Sequence, residues 1–376
     1  METLHGFTLQ ETIPVDEINA RLNIYSHIAS GAELIHIERD DTNMSFAISF
    51  KTIPEDSTGV FHILEHSVLC GSDKFPLKEP FVDLLKGSLK TYLNAMTYND
   101  KTIYPVASRN SKDFYNLVDV YMDAVFNPRA VKDKRIFMQE GHRYEINDDT
   151  LSINGVVYNE MKGAYASCDE LAAELLSSLV LCGSCYQHDS GGNPERIPSL
   201  TYEQFKGAHE KFYHPSNSTI FLDGNIELDH ILPLLNSYLK NYTPQKLDFP
   251  LTINLPVNTE KQIYHYESTP EGFSDGTRVL LGYRAGRYDD KERLFALSVI
   301  LNALCSRNTS PFKEKFLKLG LCENLDMYLN DGIKYPYLSV EIRNIKDGKE
   351  TEALTAYRDL LREFLDRKST RLNSSH

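Results

Sequence analysis

The stretch that most constrains this chain is "GVFHILEHSVLCGS", residues 59–72. It is an apolar run that asks to be buried as a helix, closed by Gly71, yet His62, Glu65 and His66 are set into it. On a helix the two histidines, four residues apart, project from one face about 6 Å apart along the axis. Two imidazoles so placed can converge on one metal ion. Glu65 stands beside the pair, where it can take a proton from a water held there. The plainer reading is two surface histidines, or two hydrogen-bonded core groups, on a partly apolar face.

The order His-x-x-Glu-His is that of the inverted zincins, the reverse of His-Glu-x-x-His. A catalytic zinc needs a third protein ligand and keeps its fourth position for water. A His2Glu set favours zinc among divalent metals and predicts a carboxylate arriving from elsewhere in the fold. Many acidic residues could serve, and spacing does not choose among them. The best local candidate is Glu160 in "GVVYNEMKGAY", because an unpaired carboxylate in an otherwise apolar helical stretch is costly. The alternative is a buried Glu paired with Lys or Arg.

The length of 376 residues suits two domains, each able to bury a core. With 41% hydrophobic and 25% charged residues the composition is that of a globular protein rather than a disordered one. Forty basic against 53 acidic residues give a formal charge of -13, with no Lys/Arg block, which argues against a nucleic-acid partner. The N-terminus has no basic segment followed by an apolar one, and no window approaches the roughly 18 apolar residues of a membrane span. A cytoplasmic location and no membrane partner are therefore expected. Six cysteines are too sparse for a disulfide scaffold and read as reduced thiols.

Along the chain, residues 32–37 and 44–50 read as strands joined by the polar turn "ERDDTN". "EPFVDLLKGSL", "SKDFYNLVDVYMDAVF" and "TYEQFKGAHEKFY" read as helices and "STIFLDG" as a strand, while residues 156–180 have the spacing of one long helix. A proline-bearing stretch with little helical period marks a linker at 243–260. Beyond it "GTRVLLGYRAG" and "YLSVEIRNI" read as strands, "KERLFALSVILNALC" and "ETEALTAYRDLLREFLD" as helices. The expected fold is α+β, two similar α/β modules of mostly antiparallel sheet packed by helices. The first covers 1–242 and carries the metal motif; the second, 261–366, is incomplete. The polar tail 367–376 lacks any period and is expected to be non-native.

Three longer strings carry a resemblance: the run that begins at His62 and continues through "GSDKFPLKEPFVDLLKGSLKTYLNAMTYNDKTIYPVAS", the string "GVVYNEMKGAY", and "SGGNPERIPSLTYEQFKGAHEKFYHPSN". Together they closely resemble the presequence protease branch of the pitrilysin and insulysin metallopeptidases, over about residues 5–366. The resemblance implies the inverted-zincin fold, with His62, His66 and Glu160 as ligands of one zinc ion per chain and Glu65 as general base. It implies that "YLNAMTY", residues 92–98, is a sheet edge to which a peptide adds as a strand, with Asn94 and Ala95 at substrate-contacting positions. It also implies a two-halved enzyme closing around an unfolded peptide, whose second half supplies an Arg and a Tyr to the substrate and oxyanion. Family members are far longer than this chain, so its expected partners are an unfolded peptide and a C-terminal half of the same enzyme. His142 stands where the family usually has Trp and reads as a packing change.

Other features carry less. Cys182 and Cys185 form one Cys-x-x-Cys, where a structural zinc would want a second pair. Cys70 reads as packing. "DSGGNPE", residues 189–195, is a turn and not a phosphate loop, and His188, His209 and His214 read as structural or exposed. The leading expectation is a zinc endopeptidase acting on short unfolded peptides. The competing one is a zinc-loaded peptide-binding half without useful catalysis, because an open site does not exclude water.

Overall fold

The computed structural model describes residues 3–78, 80–247, 249, 251, 261–266 and 276–373. In chain order the elements are β1 (Thr3–Leu4), β2 (Phe7–Val15), β3 (Ala20–His27), β4 (Glu33–Glu38), β5 (Met44–Lys51), α1 (Val60–Val68), α2 (Pro80–Gly87), β6 (Lys90–Leu93), β7 (Met96–Thr97) and β8 (Lys101–Ser108). There follow α3 (Ser111–Phe126), α4 (Lys134–Glu140), β9 (Arg143–Asn147), β10 (Thr150–Asn154), α5 (Val156–Ala164), α6 (Cys168–Val180), α7 (Tyr202–Phe212), β11 (Ser218–Asp223) and α8 (Leu228–Leu239). The last elements are β12 (Thr277–Arg284), α9 (Lys291–Cys305), α10 (Pro311–Leu317), β13 (Asn324–Asn330), β14 (Tyr337–Ile345) and α11 (Glu350–Asn373).

Contacts divide the chain into two units, residues 1–165 with 188–251 and residues 166–187 with 252–376. The first is built on a nine-stranded sheet in the order β1-β2-β3-β4-β11-β5-β8-β6, with β7 also on β8. β5 shows why these residues make a strand. Met44, Phe46, Ile48 and Phe50 alternate with less buried neighbours, so one face enters the core. β4 and β5 do not pair across the polar turn between them. β11 lies between, parallel to β4 and antiparallel to β5, and that parallel ladder is the exception among the described strand pairs.

In α1 the residues Phe61, Ile63, Leu64 and Val68 are buried. The Asp, Ser and Thr before it do not cap it. Gly59 takes the N-cap at φ 67, and Asp56 instead accepts hydrogen bonds from the backbone and hydroxyl of Thr58. Where one helix is expected over 156–180 there are two. α5 ends at Ala164 with Tyr165 as its C-cap, and Ser167, extended at φ -87 and ψ 123, is the N-cap of α6, which has Asp169 and Glu170 in its first turn.

The second unit holds the three-stranded antiparallel sheet β12-β14-β13 and a core of Phe312, Phe316, Leu325, Val340, Ile342 and Tyr357. Residues 166–187, placed by sequence in the first module, pack here for two reasons. Arg278 on β12 pairs with Asp169 of α6 and with Glu341 of β14. Gly282 lets α6 approach, since a Cβ there would meet Val180 at 2.1 Å. Much of the expected linker, including residues 252–260, lies outside the described residues. The backbone of α11 runs on to Asn373, so the stretch expected to be an aperiodic tail is largely helical. Among the described residues no helix is long and apolar enough to cross a membrane.

Candidate metal centre

Three elements of the first unit meet at one point, and glycines allow it. A Cβ on Gly155, just before α5, would stand 2.0 Å from the carbonyl oxygen of Gly141, just after α4. A Cβ on Gly141 would in turn meet Ile63 of α1 at 3.1 Å. The absence of side chains at these crossings brings α1, α4 and α5 together.

The result is a cluster of His62, His66 and Glu160, in which one ligand atom from each lies within 4.8 Å of the others. The imidazole centroids are 5.0 Å apart and the rings are inclined at 75°. Glu160 Oε2 is 3.8 Å from His62 Nε2 and 3.7 Å from His66 Nε2. Two atoms each about 2 Å from one ion are at most about 4 Å apart. Both Glu160 contacts meet that limit, and a small inward movement of side chains spread over 4.8 Å would let the three donors share a zinc. Among the described residues the ion-pair partners of Glu160 are these two histidines, not a Lys or Arg. The reason sequence gives for Glu160 does not hold, however. Its side chain is 55% exposed, and Val157 is the buried residue of α5.

Each histidine is oriented from behind. His62 Nδ1 donates to the carbonyl of Gly191 at 2.9 Å, which fixes the tautomer and leaves the Nε2 lone pair toward Glu160. His66 Nδ1 is 3.5 Å from Glu140 Oε2. Burial lowers the His66 pKa, but Glu140 and the nearby carboxylates of Glu65 and Glu160 outweigh it, and the net shift is upward. For Glu140 burial acts to raise the pKa. The contact with His66 and the hydrogen bond from Gln139 overcome it and hold the carboxyl below its ordinary value. Cys70 donates to the His66 carbonyl at 3.5 Å, on the side of α1 facing Glu140.

Glu65 is buried, on the same helix between the two histidines. Its carboxylate faces a buried group of phenols. Burial first, and then Glu65, pushes the Tyr121 pKa up; burial, the mutual hydrogen bond and Glu65 do the same for Tyr104. Tyr104 and Tyr213 share a 2.7 Å hydrogen bond.

β6 and β7 form an edge of the nine-stranded sheet, with Asn94 and Ala95 in the gap between them. The Asn94 main chain is already engaged, its N–H with the Pro105 carbonyl at 3.2 Å and its carbonyl with the Tyr121 hydroxyl at 3.1 Å. Its side-chain amide donates to Tyr92 Oη at 3.3 Å.

Among the described residues no other group of three His, Cys, Asp or Glu is close enough to share an ion. His142 packs edge-on against Phe137 and donates to the Leu200 carbonyl at 2.9 Å. Cys182 and Cys185 are not joined by a disulfide. Sequence reasoning passed over Glu140, whose signal was a carboxylate at the end of a short helix with an apolar face. It also passed over Gly191, where a backbone carbonyl has no side-chain signature.

The sequence matches two family descriptions, "Insulinase (Peptidase family M16)" over residues 53–177 and "Peptidase M16 inactive domain" over residues 199–369. It is 43% identical over 366 residues to Protein HypA of Clostridium perfringens, covering 96% of this chain and 38% of that one. It is 37% identical to presequence protease 1, chloroplastic/mitochondrial, of Arabidopsis thaliana, covering 94% of this chain and 33% of the relative. The chain thus spans about a third of the length of these relatives. The fold is similar to that of pitrilysin (TM-score 0.60, 18% identity, 95% of this chain and 38% of that one). It is also similar to a Helicobacter pylori protease (TM-score 0.65, 14% identity, 95% of this chain and 79% of that one).

Proposed function

We propose that this chain, which belongs to the M16 (pitrilysin) peptidase family, acts as a zinc-dependent endopeptidase on short unfolded peptides. The observation that carries the reading is the convergence of His62 Nε2, His66 Nε2 and a Glu160 carboxylate oxygen within one ion's reach. His62, His66 and Glu160 would hold the zinc. When bound, zinc supplies Lewis acidity, which polarises a scissile carbonyl and makes water a better nucleophile.

The chain's own residues do the rest. Glu65 takes the proton from the attacking water as its oxygen bonds to the carbonyl carbon, then passes it to the amine as the C–N bond breaks. It is buried on the helix that carries both imidazoles, close enough for its charge to act on His66. The edge formed by β6 and β7 offers an extended peptide a strand to pair with. Because the Asn94 main chain is engaged internally, its contact with substrate falls to the side-chain amide.

A second reading has its own support: a zinc-loaded peptide-binding half that turns over only with a C-terminal half. Glu160 is more than half exposed, and the chain spans a third of its relatives. Hydrolysis of an unstructured peptide of about 20 residues, with zinc added, by the wild type and Glu65→Gln separates the readings. Cleavage lost in the variant while zinc stays bound supports the endopeptidase. Zinc binding with no cleavage by either protein, and activity gained on adding a C-terminal half, supports the binding half. Equal cleavage by both proteins rules out Glu65 as the base.

A further inference from the structure

The Gly-rich turn at residues 189–192 does more than reverse the chain. Gly191 packs against α5, since a Cβ there would meet Met161 Cε at 2.9 Å, and its carbonyl accepts from His62 Nδ1. The turn is pinned before α1 by two hydrogen bonds: Asp189 N–H donates to Ser57 Oγ at 3.1 Å and Asn193 N–H to the Ser57 carbonyl at 2.9 Å. At its centre the Asp189 carboxylate faces two ways. Oδ1 accepts from the Gly191 N–H at 2.8 Å, and Oδ2 accepts from the Tyr165 hydroxyl at 2.7 Å. Tyr165 is the C-cap of α5, the helix that carries Glu160.

One side chain thus joins the backbone that orients His62 to the helix that presents Glu160. We infer that Asp189 is a positioning residue, which sets the separation of His62 and Glu160 through Gly191 on one side and Tyr165 on the other. The inference rests on the zinc reading above. The chemistry favours a carboxylate at this place, because one acidic group accepts from an amide and a phenol at once without giving up either bond. Glu160 is exposed, so its aim depends on how its helix is held rather than on packing around the carboxylate itself.

The test measures zinc affinity of the full chain by chelator competition, with thermal unfolding of the zinc-free protein alongside. Asp189→Ala is expected to weaken zinc binding about tenfold to a hundredfold, the range usual for groups that orient ligands. Tyr165→Phe, which removes one hydroxyl and keeps the packing, is expected to weaken it less. The double variant should bind no more weakly than Asp189→Ala, because Tyr165 acts through Asp189. Asp189→Asn should recover most of the affinity, its amide accepting from Gly191 and donating to Tyr165. The absorption of the cobalt-substituted protein should shift in Asp189→Ala, and a merely structural role would leave it unchanged. Wild-type affinity in both Asp189→Ala and Tyr165→Phe overturns the inference, as does a loss of affinity matched by unfolding of the zinc-free protein in both. A wild type that binds no zinc, or binds it unaffected by His66→Ala, overturns the zinc reading itself and this inference with it.

Discussion

The Nδ1 atom of His66 stands 3.5 Å from a carboxylate oxygen of Glu140, a residue only 6% exposed. A buried carboxylate is costly without a partner, and this one has an imidazole in front of it and Gln139 at its side. Glu140→Gln should therefore lower zinc affinity by about tenfold or more, by weakening the hold on the His66 tautomer. Isothermal titration with zinc reads this directly, and an unchanged dissociation constant would leave Glu140 as a packing residue.

Gly59 should not tolerate a side chain. It sits at φ 67, and a Cβ would lie 2.6 Å from the Gly191 oxygen and 2.8 Å from the Gly192 Cα. Gly59→Ala combines left-handed strain with a backbone collision, so a loss of about 2 kcal/mol or more is expected in denaturant unfolding. Because the atom struck is the oxygen that orients His62, zinc affinity should fall as well. A variant as stable as the wild type would mean that the turn yields freely.

His209 gives the fold an acid-sensitive component. Its ring donates to the Val125 carbonyl at 2.9 Å, and burial holds its pKa down to about 4, below an imidazole's ordinary 6.5. Between those values the unfolded chain takes up a proton that the folded chain refuses. The stabilisation is thus complete above pH 6.5, declines as pH falls through the window, and is gone below about 4. Between pH 7 and pH 5 the wild type should lose about 2 kcal/mol more stability than His209→Gln. Equal losses in parallel urea titrations at the two pH values would contradict this.

In the second unit Phe312 is fully buried, edge-on to Tyr357 at 5.9 Å and to Phe364 at 5.3 Å. Phe312→Ala leaves a cavity at the centre of that core and should cost about 3–5 kcal/mol. Calorimetry on wild type and variant measures it. A cost under about 1 kcal/mol would show that the surrounding rings collapse into the space.

What the sequence made legible depended on how locally each feature is determined. α1, α3, α7 and β5 have apolar spacing that already states their buried face, and they appear where that spacing puts them. β2 and β3 went unread because β2 lies near the sheet edge, with polar residues and Pro14 along its exposed length, so alternation is weak. The break between α5 and α6 carried a readable mark in Ser167 followed by Asp169 and Glu170, yet the apolar period ran across it unbroken. At the metal cluster, helix geometry put His62 and His66 on one face with Glu65 beside them, while leaving surface or core histidines as the plainer reading. Glu160 needed the resemblance, since the burial that physics expected of it is not there. Glu140, Asp189 and the Gly191 carbonyl meet residues distant in sequence, His66, Tyr165 and His62, and no local pattern announces them.

The insertion of β11 between β4 and β5 sets an order of events for a chain leaving the ribosome. Ser49 and Thr219, which face each other across that ladder, are 170 residues apart in sequence. Until β11 has been synthesised, β4 and β5 each present an open hydrogen-bonding edge with no neighbour between them. Such pairings are slow to find and expose apolar strand surface while they wait. The first unit should therefore refold slowly from denaturant, and His62, His66 and Glu160 should gather late, after the sheet has closed.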